Sequence, residues 1–474
     1  MDFIPSLRAW LVSFLNGIPS DDPASATLYL FLHGGWAVLL VVLLVTMVQL
    51  WLESRRDRYA AGVRWVLLAI DVPKETEQSP QAVEHVFSAL AGTRLRGTLV
   101  DRWWHGKTQS YFSFEIVSLG GYTQFLVRTP VNFRDLVEAS LYAQYPDAEV
   151  TEVEDYVGRI PLNFDTEEYD LWGTEFQLMK LDVYPIKTYP EFEHTLSQEF
   201  KDPMAGLLEI LSRIKPDEDV WLQLVVTPTD DSWKNQAKKE VQRIISKKEG
   251  SGGLGGVLTS LLFQLPAKFL YTVTETVFSG VVEPGKSTVS TGTLEKKPHT
   301  VQELTPGEKD VVVAIERKAS KIGFKTKFRL VYWGRRETFL KGRGQAGVVG
   351  AIQQFTTLNL NGLKPSRLMT TKAEYFLKQS RINNKQRRIL RHYAGRSNRR
   401  GHGEGFILNT EELATLYHFP VVTVKAPLVK KTEAKKAEPP FGLPVYQPGR
   451  RLAEPQPAAA TGKGAAPGNL PTVE

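Results

Sequence analysis

Between Leu28 and Leu52 the chain reads LYLFLHGGWAVLLVVLLVTMVQLWL, without a single Asp, Glu, Lys or Arg. As a helix rising 1.5 Å per residue this run would extend about 37 Å, more than the ~30 Å hydrocarbon core of a bilayer. The reading is a transmembrane anchor with its basic flank over 26–58; a buried core helix is the competing one. Arg55, Arg56, Arg58 and Arg64 follow the run, whereas Asp21, Asp22 and only Arg8 precede it. That asymmetry predicts a single-pass protein of the cell membrane with its C-terminal body in the cytoplasm. Upstream, Leu7, Trp10, Leu11, Phe14, Leu15 and Ile18 recur at helical spacing. Residues 1–20 are therefore expected to form an amphipathic helix, lying at the interface or packed on a partner subunit.

From Arg64 the pattern changes to alternating strands and helices. Trp65 to Val72 is a β-branched, apolar strand stopped by Pro73. Ser79 and Pro80 open a helix whose Val83, Val86, Phe87 and Leu90 share a face. Tyr111 to Val117 alternates, Gly120 and Gly121 turn the chain, and Thr123 to Arg128 returns. A helix from Asn132 and a strand over 148–154 complete the order βαββαβ, so 62–157 is expected to be a ferredoxin-like module. Residues 165–363 read as a second, less regular α/β module, with an apolar but irregular insertion over 249–304 that is a surface amphipathic segment or a plain loop. A basic segment spans 364–405, a helix and strand 406–426, and a tail rich in Pro, Ala, Gly and Lys, expected to be disordered, 427–474. The fold class expected is α+β: an N-terminal transmembrane helix, the ferredoxin-like module, the second α/β module and the disordered tail.

The net charge of +7 over 474 residues hides an uneven distribution. Residues 364–400 hold twelve basic side chains and one acid, whereas 1–363 sum to −5. Within the basic segment Lys378, Arg381, Lys385, Arg387, Arg388, Arg391, Arg399 and Arg400 are the candidate contacts, with Tyr375, Phe376 and Tyr393 interleaved. Such cations neutralise phosphates and such rings stack on bases, so DNA is one expected partner. Anionic lipid is the other, and a solvated loop is the bland reading.

Catalytic chemistry is thinly supplied. The chain has no Cys, which excludes disulfides, thiolate metal sites and a Cys nucleophile. Its eight His are dispersed, and no HExxH or GxSxG motif occurs. Gly280-Val-Val-Glu-Pro-Gly285-Lys286-Ser287 satisfies the phosphate-loop pattern, a nucleotide site on paper. Pro284 lacks an N–H the cradle would use, and STVSTGTLEKKPHT opens no amphipathic helix to receive a phosphate, so the match is read as spurious. Gly342, Gly344 and Gly347 form a GxGxxG, but no acid follows at ribose-binding distance, and the glycines are read as a flexible helix start. Glu152, Glu154 and Asp155 read as a solvated rim rather than an acid/base pair. No catalytic residue, cofactor or metal is expected.

Ser140-LYAQYPDAEV-Thr151 with Val153-Glu-Asp-Tyr156, Tyr169-DLWGTE-Phe176, Tyr184-PIKT-Tyr189, and Asn409-TEELATLYHF-Pro420 followed by Pro439-PFGL-Pro444 carry a resemblance. Over most of 60–444 the chain resembles an uncharacterised membrane-anchored family of candidate-phyla (Patescibacteria-type) bacteria. Longer relatives of that family look like the membrane-proximal part of type IV secretion coupling-protein-like ATPases, with a motor after the PP-x-x-LP segment. Only thirty residues follow Pro444 here, so the resemblance implies a motor-less component and transfers no ATPase activity. The function expected is a non-enzymatic component of a DNA-transfer or secretion-type assembly, with a separate ATPase, the membrane and further copies of the chain as partners. The alternative is a membrane-surface scaffold.

Overall fold

The computed structural model describes residues 36–73, 78–161, 168–192, 202–246, 304–401 and 403–420, and residues 22, 25, 29, 31 and 32 singly. The expected interfacial helix 1–20, nearly all of the insertion 249–304 with its Gly280, Gly285, Lys286 and Ser287, and the tail from 427 lie outside the described residues.

The apolar run corrects the first expectation. Helix α1 is Trp36–Ala61, and its uncharged part ends at Leu52, followed in the same helix by Glu53, Arg55, Arg56, Asp57 and Arg58. Trp36 to Leu52 makes about 25 Å of uncharged helix, short of a bilayer core. Among the described residues no helix is long and apolar enough to cross a membrane, so the transmembrane anchor over 26–58 is withdrawn. The charged end of α1 packs on the body instead. Leu52 is buried, Trp51 meets Trp104 edge-on at 6.0 Å, and the Arg55 guanidinium lies 5.4 and 5.6 Å from those two rings.

The second correction concerns the body. Two separate modules were expected, but one nine-stranded sheet, antiparallel in every pairing, runs through the whole of it. The elements are β1 (Trp65–Asp71), α2 (Gln81–Ala91), the short α3 (Leu99–Trp103), β2 (Phe112–Leu119), β3 (Tyr122–Pro130), α4 (Arg134–Gln144) and β4 (Glu149–Glu152). Then come β5 (Tyr169–Leu178), α5 (Met204–Ser212), β6 (Glu218–Pro228), α6 (Trp233–Ile245), α7 (Pro306–Ser320), β7 (Gly323–Arg335), α8 (Lys341–Gln353) and β8 (Leu363–Pro365). The chain closes with α9 (Lys378–Ala394), β9 (Phe406–Asn409) and α10 (Thr410–Leu416).

The spatial order β4-β1-β3-β2-β6-β7-β5-β8 is one permutation read from both ends. In β1 to β4 the first strand pairs with the third and fourth and the second is the inner edge; β5 to β8 repeat this. The halves join edge to edge where β2 pairs with β6, from Phe112 opposite Val226 to Leu119 opposite Asp219. The second half looks less regular in sequence because α6, 247–303 and α7 interrupt its central hairpin, and because β8 is three residues long.

One sheet face is predominantly apolar. Phe114, Ile116, Val127, Leu222, Leu224, Phe328 and Leu330 face α2, α4, α5 and α8 in the main core. Local chemistry starts several helices: Thr305 with Glu308, and Asn409 with Glu412, form reciprocal capping boxes. Helix α2, by contrast, has no side-chain cap, so Ser79 does not play that part. Segment 417–419 packs aromatics onto the first half of this core: Tyr417 lies edge-on to Phe114 at 5.1 Å and Phe419 meets Tyr145 at 5.0 Å. Gly344 of the GxGxxG pattern is a packing residue, since a Cβ there would sit 2.2 Å from the buried Tyr332 ring. That close approach of α8 to the sheet, not flexibility, is what the glycine supplies.

Candidate functional site

The opposite sheet face is divided along the strands. At one end Leu67, Ala69, Val117, Leu126, Trp221 and Val331 make a second apolar core. Helix α9 covers it with Ile389, Leu390 and Tyr393, so the centre of the basic segment is an amphipathic helix laid on the sheet. Its cations therefore occupy the remaining sides of a fixed helix rather than a loop.

Further along the strands the same face turns polar. Glu115 on β2 lies opposite Gln223 on β6, Gln223 opposite Arg329 on β7, and Arg329 opposite Glu175 on β5. The Gln223 amide donates to Glu115 at 3.0 Å, and Arg329 donates to the Gln223 carbonyl oxygen at 3.0 Å and to Glu175 at 3.2 Å. Arg396, in the turn after α9, closes the row from above. Its Nε and Nη2 donate to Glu115 at 2.7 and 3.1 Å, and its Nη1 and Nη2 to Asp155 at 2.6 and 2.9 Å. The Tyr156 hydroxyl donates to Glu115 at 2.7 Å and therefore accepts from the Tyr393 hydroxyl at 2.7 Å.

Burial pushes the Glu115 carboxyl up, but the Arg396 charge and hydrogen bonds override it and hold the group below the ordinary range. Burial likewise sends the Tyr156 and Tyr393 phenols well above theirs. Glu115, Tyr156, Tyr393 and Arg396 are enclosed and Asp155 meets them from the exposed edge, so the row is a clamp that fixes the segment after α9. Arg329 Nη2 completes the clamp by donating to the carbonyl oxygens of Ser397 at 2.6 Å and Arg400 at 2.7 Å. Asp155, which is exposed, is also one of its anchors.

The candidate cations of the sequence divide into three sets. Arg381, Lys385 and Arg388 each donate to a carbonyl oxygen of the preceding loop, at Glu374 (2.9 Å), Lys372 (2.6 Å) and Leu368 (2.6 Å). Lys378 and Arg391 are exposed, and their side chains form no hydrogen bond or ion pair among the described residues; Arg387 is half-buried, with its Nε enclosed and unbonded. Arg399 and Arg400 belong elsewhere: Arg399 reaches Glu53 at 3.3 Å and Asp57 at 3.5 Å on α1, and Arg400 offers the clamp its carbonyl. The structure thus gathers the first six on α9 and separates the last two.

Before α9 the chain projects Tyr375, Phe376 and Leu377, which are 84%, 89% and 79% exposed. Tyr375 and Leu377 have positive φ, 67° and 50°, a backbone that non-glycine residues rarely hold. Three large apolar side chains standing in water beside Lys372, Lys378 and Arg381 are a surface feature that folding alone does not require. Sequence reading singled out the two rings but not the tip, because exposure depends on the turn and not on composition. It also passed over Lys325, Lys327 and Arg329, although cations at alternate positions of a strand place all three on one face.

His392 sits on α9 among Arg329, Arg388, Arg400 and Lys327. Burial, and then those charges, push its imidazole down to about 4. It is neutral when folded and takes a proton near its ordinary ~6.5 when unfolded. Its contribution is therefore complete above about pH 6.5 and fades as the pH falls toward 4. Replacing His392 by Gln is expected to flatten the urea-midpoint profile over that interval; a slope equal to the parent's would contradict this placement.

Among the described residues no group of His, Asp and Glu is arranged to hold a metal ion. Residues 58–432 match a family described as a domain of unknown function (DUF8128). The match covers most of the chain, which therefore belongs to that family. No curated protein matches it.

Proposed function

We propose that this chain is a non-enzymatic component of a DNA-transfer or secretion-type assembly, and that it contacts single-stranded nucleic acid through the outer face of α9 and the Tyr375-Phe376-Leu377 tip. The observation that carries the reading is the exposure of that tip beside Lys378, which forms no ion pair among the described residues, and beside Lys372 and Arg381, which are held by Glu374. Rings that stack on bases next to charges that meet phosphates form the combination used for single strands. Its placement beside a separate ATPase rests on the family resemblance of residues 60–444 alone. Leu377, together with the 64% exposed Leu368 nearby, favours the second reading, a scaffold whose basic segment docks on anionic lipid.

Binding of the full chain to a fluorescent single-stranded oligonucleotide at low salt tests the proposal. Phe376→Ala is expected to weaken it by about 1–3 kcal/mol, the range of one base–aromatic stack. The double substitution Lys378→Gln/Arg391→Gln should lower the salt slope by about 1.4, from ~0.7 per phosphate contact on a single strand. If neither change alters binding, or if only anionic vesicles bind, the nucleic-acid reading is wrong.

A further inference from the structure

A second cationic feature lies beyond the C-terminal end of α9, away from the tip. A partly open cavity of about 360 Å³ lies over the polar sheet face, with Arg56 of α1, Arg399 and Asn398 of the turn after α9, Thr227 of β6, and Lys325 and Lys327 of β7 in its walls. Glu404, exposed at the rim and paired with Lys325, is the one carboxylate in its lining. Its lining thus holds four cations and one carboxylate, while Glu53 and Asp57 behind Arg399 and Glu175 at 3.8 Å from Lys327 offset part of that charge from outside the cavity.

The positions of these cations are set from behind. Lys327 Nζ donates to the carbonyl oxygens of Arg400 and Gly403, both at 3.0 Å, and this fixes the turn that carries Asn398 and Arg399. The Arg329 contacts to the same turn, and the Arg396 pairs with Glu115 and Asp155, hold it from the other side. Among the described residues Arg399 has two exposed carboxylates of α1 as ion-pair partners. The Arg56 side chain makes no hydrogen bond or ion pair among the described residues, although the group is half-buried. Burial, and then the Arg399 charge, lowers its pKa against the opposing pull of Glu53, which is the direction expected of two guanidinium groups close to one space. The Thr227 hydroxyl and the Asn398 amide add neutral donors.

We propose that this cavity binds a phosphate group, held between the guanidinium groups of Arg56 and Arg399 and carried either by a small phosphate ion or by the end of a nucleic-acid strand. Planar guanidinium forks match the oxygens of phosphate in pairs. The volume lies in the range of small-ligand pockets, and the rigid turn means that little ordering accompanies binding. The site is independent of the tip on α9.

Titration calorimetry of the full chain with inorganic phosphate, in a low-salt buffer free of other multivalent anions, is the test. Binding is expected, with Arg56→Gln and Arg399→Gln each weakening it about tenfold, the scale of one charge-assisted hydrogen bond. Glu404→Gln should tighten it about threefold by removing the competing anion, a gain that a misfolded protein would not show. Phe376→Ala should leave it unchanged, so this proposal and the nucleic-acid reading fail separately. A 5′-phosphorylated oligonucleotide that displaces phosphate better than its 5′-hydroxyl counterpart would identify a strand end as the carrier; equal displacement would identify the free ion. Absence of phosphate binding, indifference to both arginine substitutions, or weaker binding in Glu404→Gln would overturn the site.

Discussion

Arg396→Met is expected to lower folding stability by about 3–5 kcal/mol, the usual consequence of leaving one partner of a buried ion pair alone. Glu115 is fully enclosed, and without Arg396 it keeps only Ser113, Tyr156 and Gln223 as donors. The loss should be read as a shift of the denaturant midpoint at unchanged slope. Adding Glu115→Gln should recover much of it, because the destabilising element is the stranded carboxylate and not the missing arginine. Acid distinguishes the two proteins by sign. In the parent, Glu115 is held below its ordinary range, so its contribution is present above about pH 4.3 and lost as the pH falls through the depressed value. In Arg396→Met, burial acts without the offset, and stability should rise as the carboxylate takes up its proton. Parallel acid limbs in parent and variant would count against the clamp.

Lys318→Met should cost a similar amount, about 3–5 kcal/mol, from a second enclosed pair on the other face of the sheet. Lys318 lies in the last turn of α7, its side chain and that of Glu412 shut off from solvent, with 3.0 Å between them. Its ammonium also donates to the carbonyl oxygen of Ile407 at 2.9 Å. Glu412 meanwhile accepts the backbone N–H groups of Ile186 and Asn409, both at 2.9 Å, so one carboxylate ties α7, β9, α10 and the loop after β5 together. Burial pushes this carboxyl above its usual range despite Lys318. The deficit of the variant should therefore shrink on moving from pH 7 toward pH 5, as Glu412 becomes neutral. A loss below about 1 kcal/mol, the scale of an exposed pair, would show that the contact is superficial.

Much of the sheet was legible, and what was not shares a physical cause. The first strand, the Gly120-Gly121 hairpin and the Thr305/Glu308 start of α7 are local signals, complete within a few residues. Ile389, Leu390 and Tyr393 also had helical spacing, but the density of cations around them made the segment read as solvent-facing. Arg396 looks like any surface arginine until its partners are known, and these lie 281 and 241 positions away. The repeat of the strand order was hidden because the second hairpin is split between Pro228 and Gly323. The apolar run from Leu28 was weighed by its length in sequence, whereas the described helix Trp36–Ala61 carries it on into charged residues that pack on Trp104.

The seam between the halves has a consequence for how the protein is made. Strand β2 leaves the ribosome about a hundred residues before β6, the only strand that covers its outer edge. During that interval a finished first half would display an open row of backbone donors and acceptors, a template for pairing with any neighbouring nascent chain. Glu115, set on that edge with no Arg396 yet synthesised, would be an unneutralised charge that a wrong strand must bury. The carboxylate that later anchors the clamp can thus guard the edge first, and only the arrival of the far end of the chain turns it from a deterrent into a fastening.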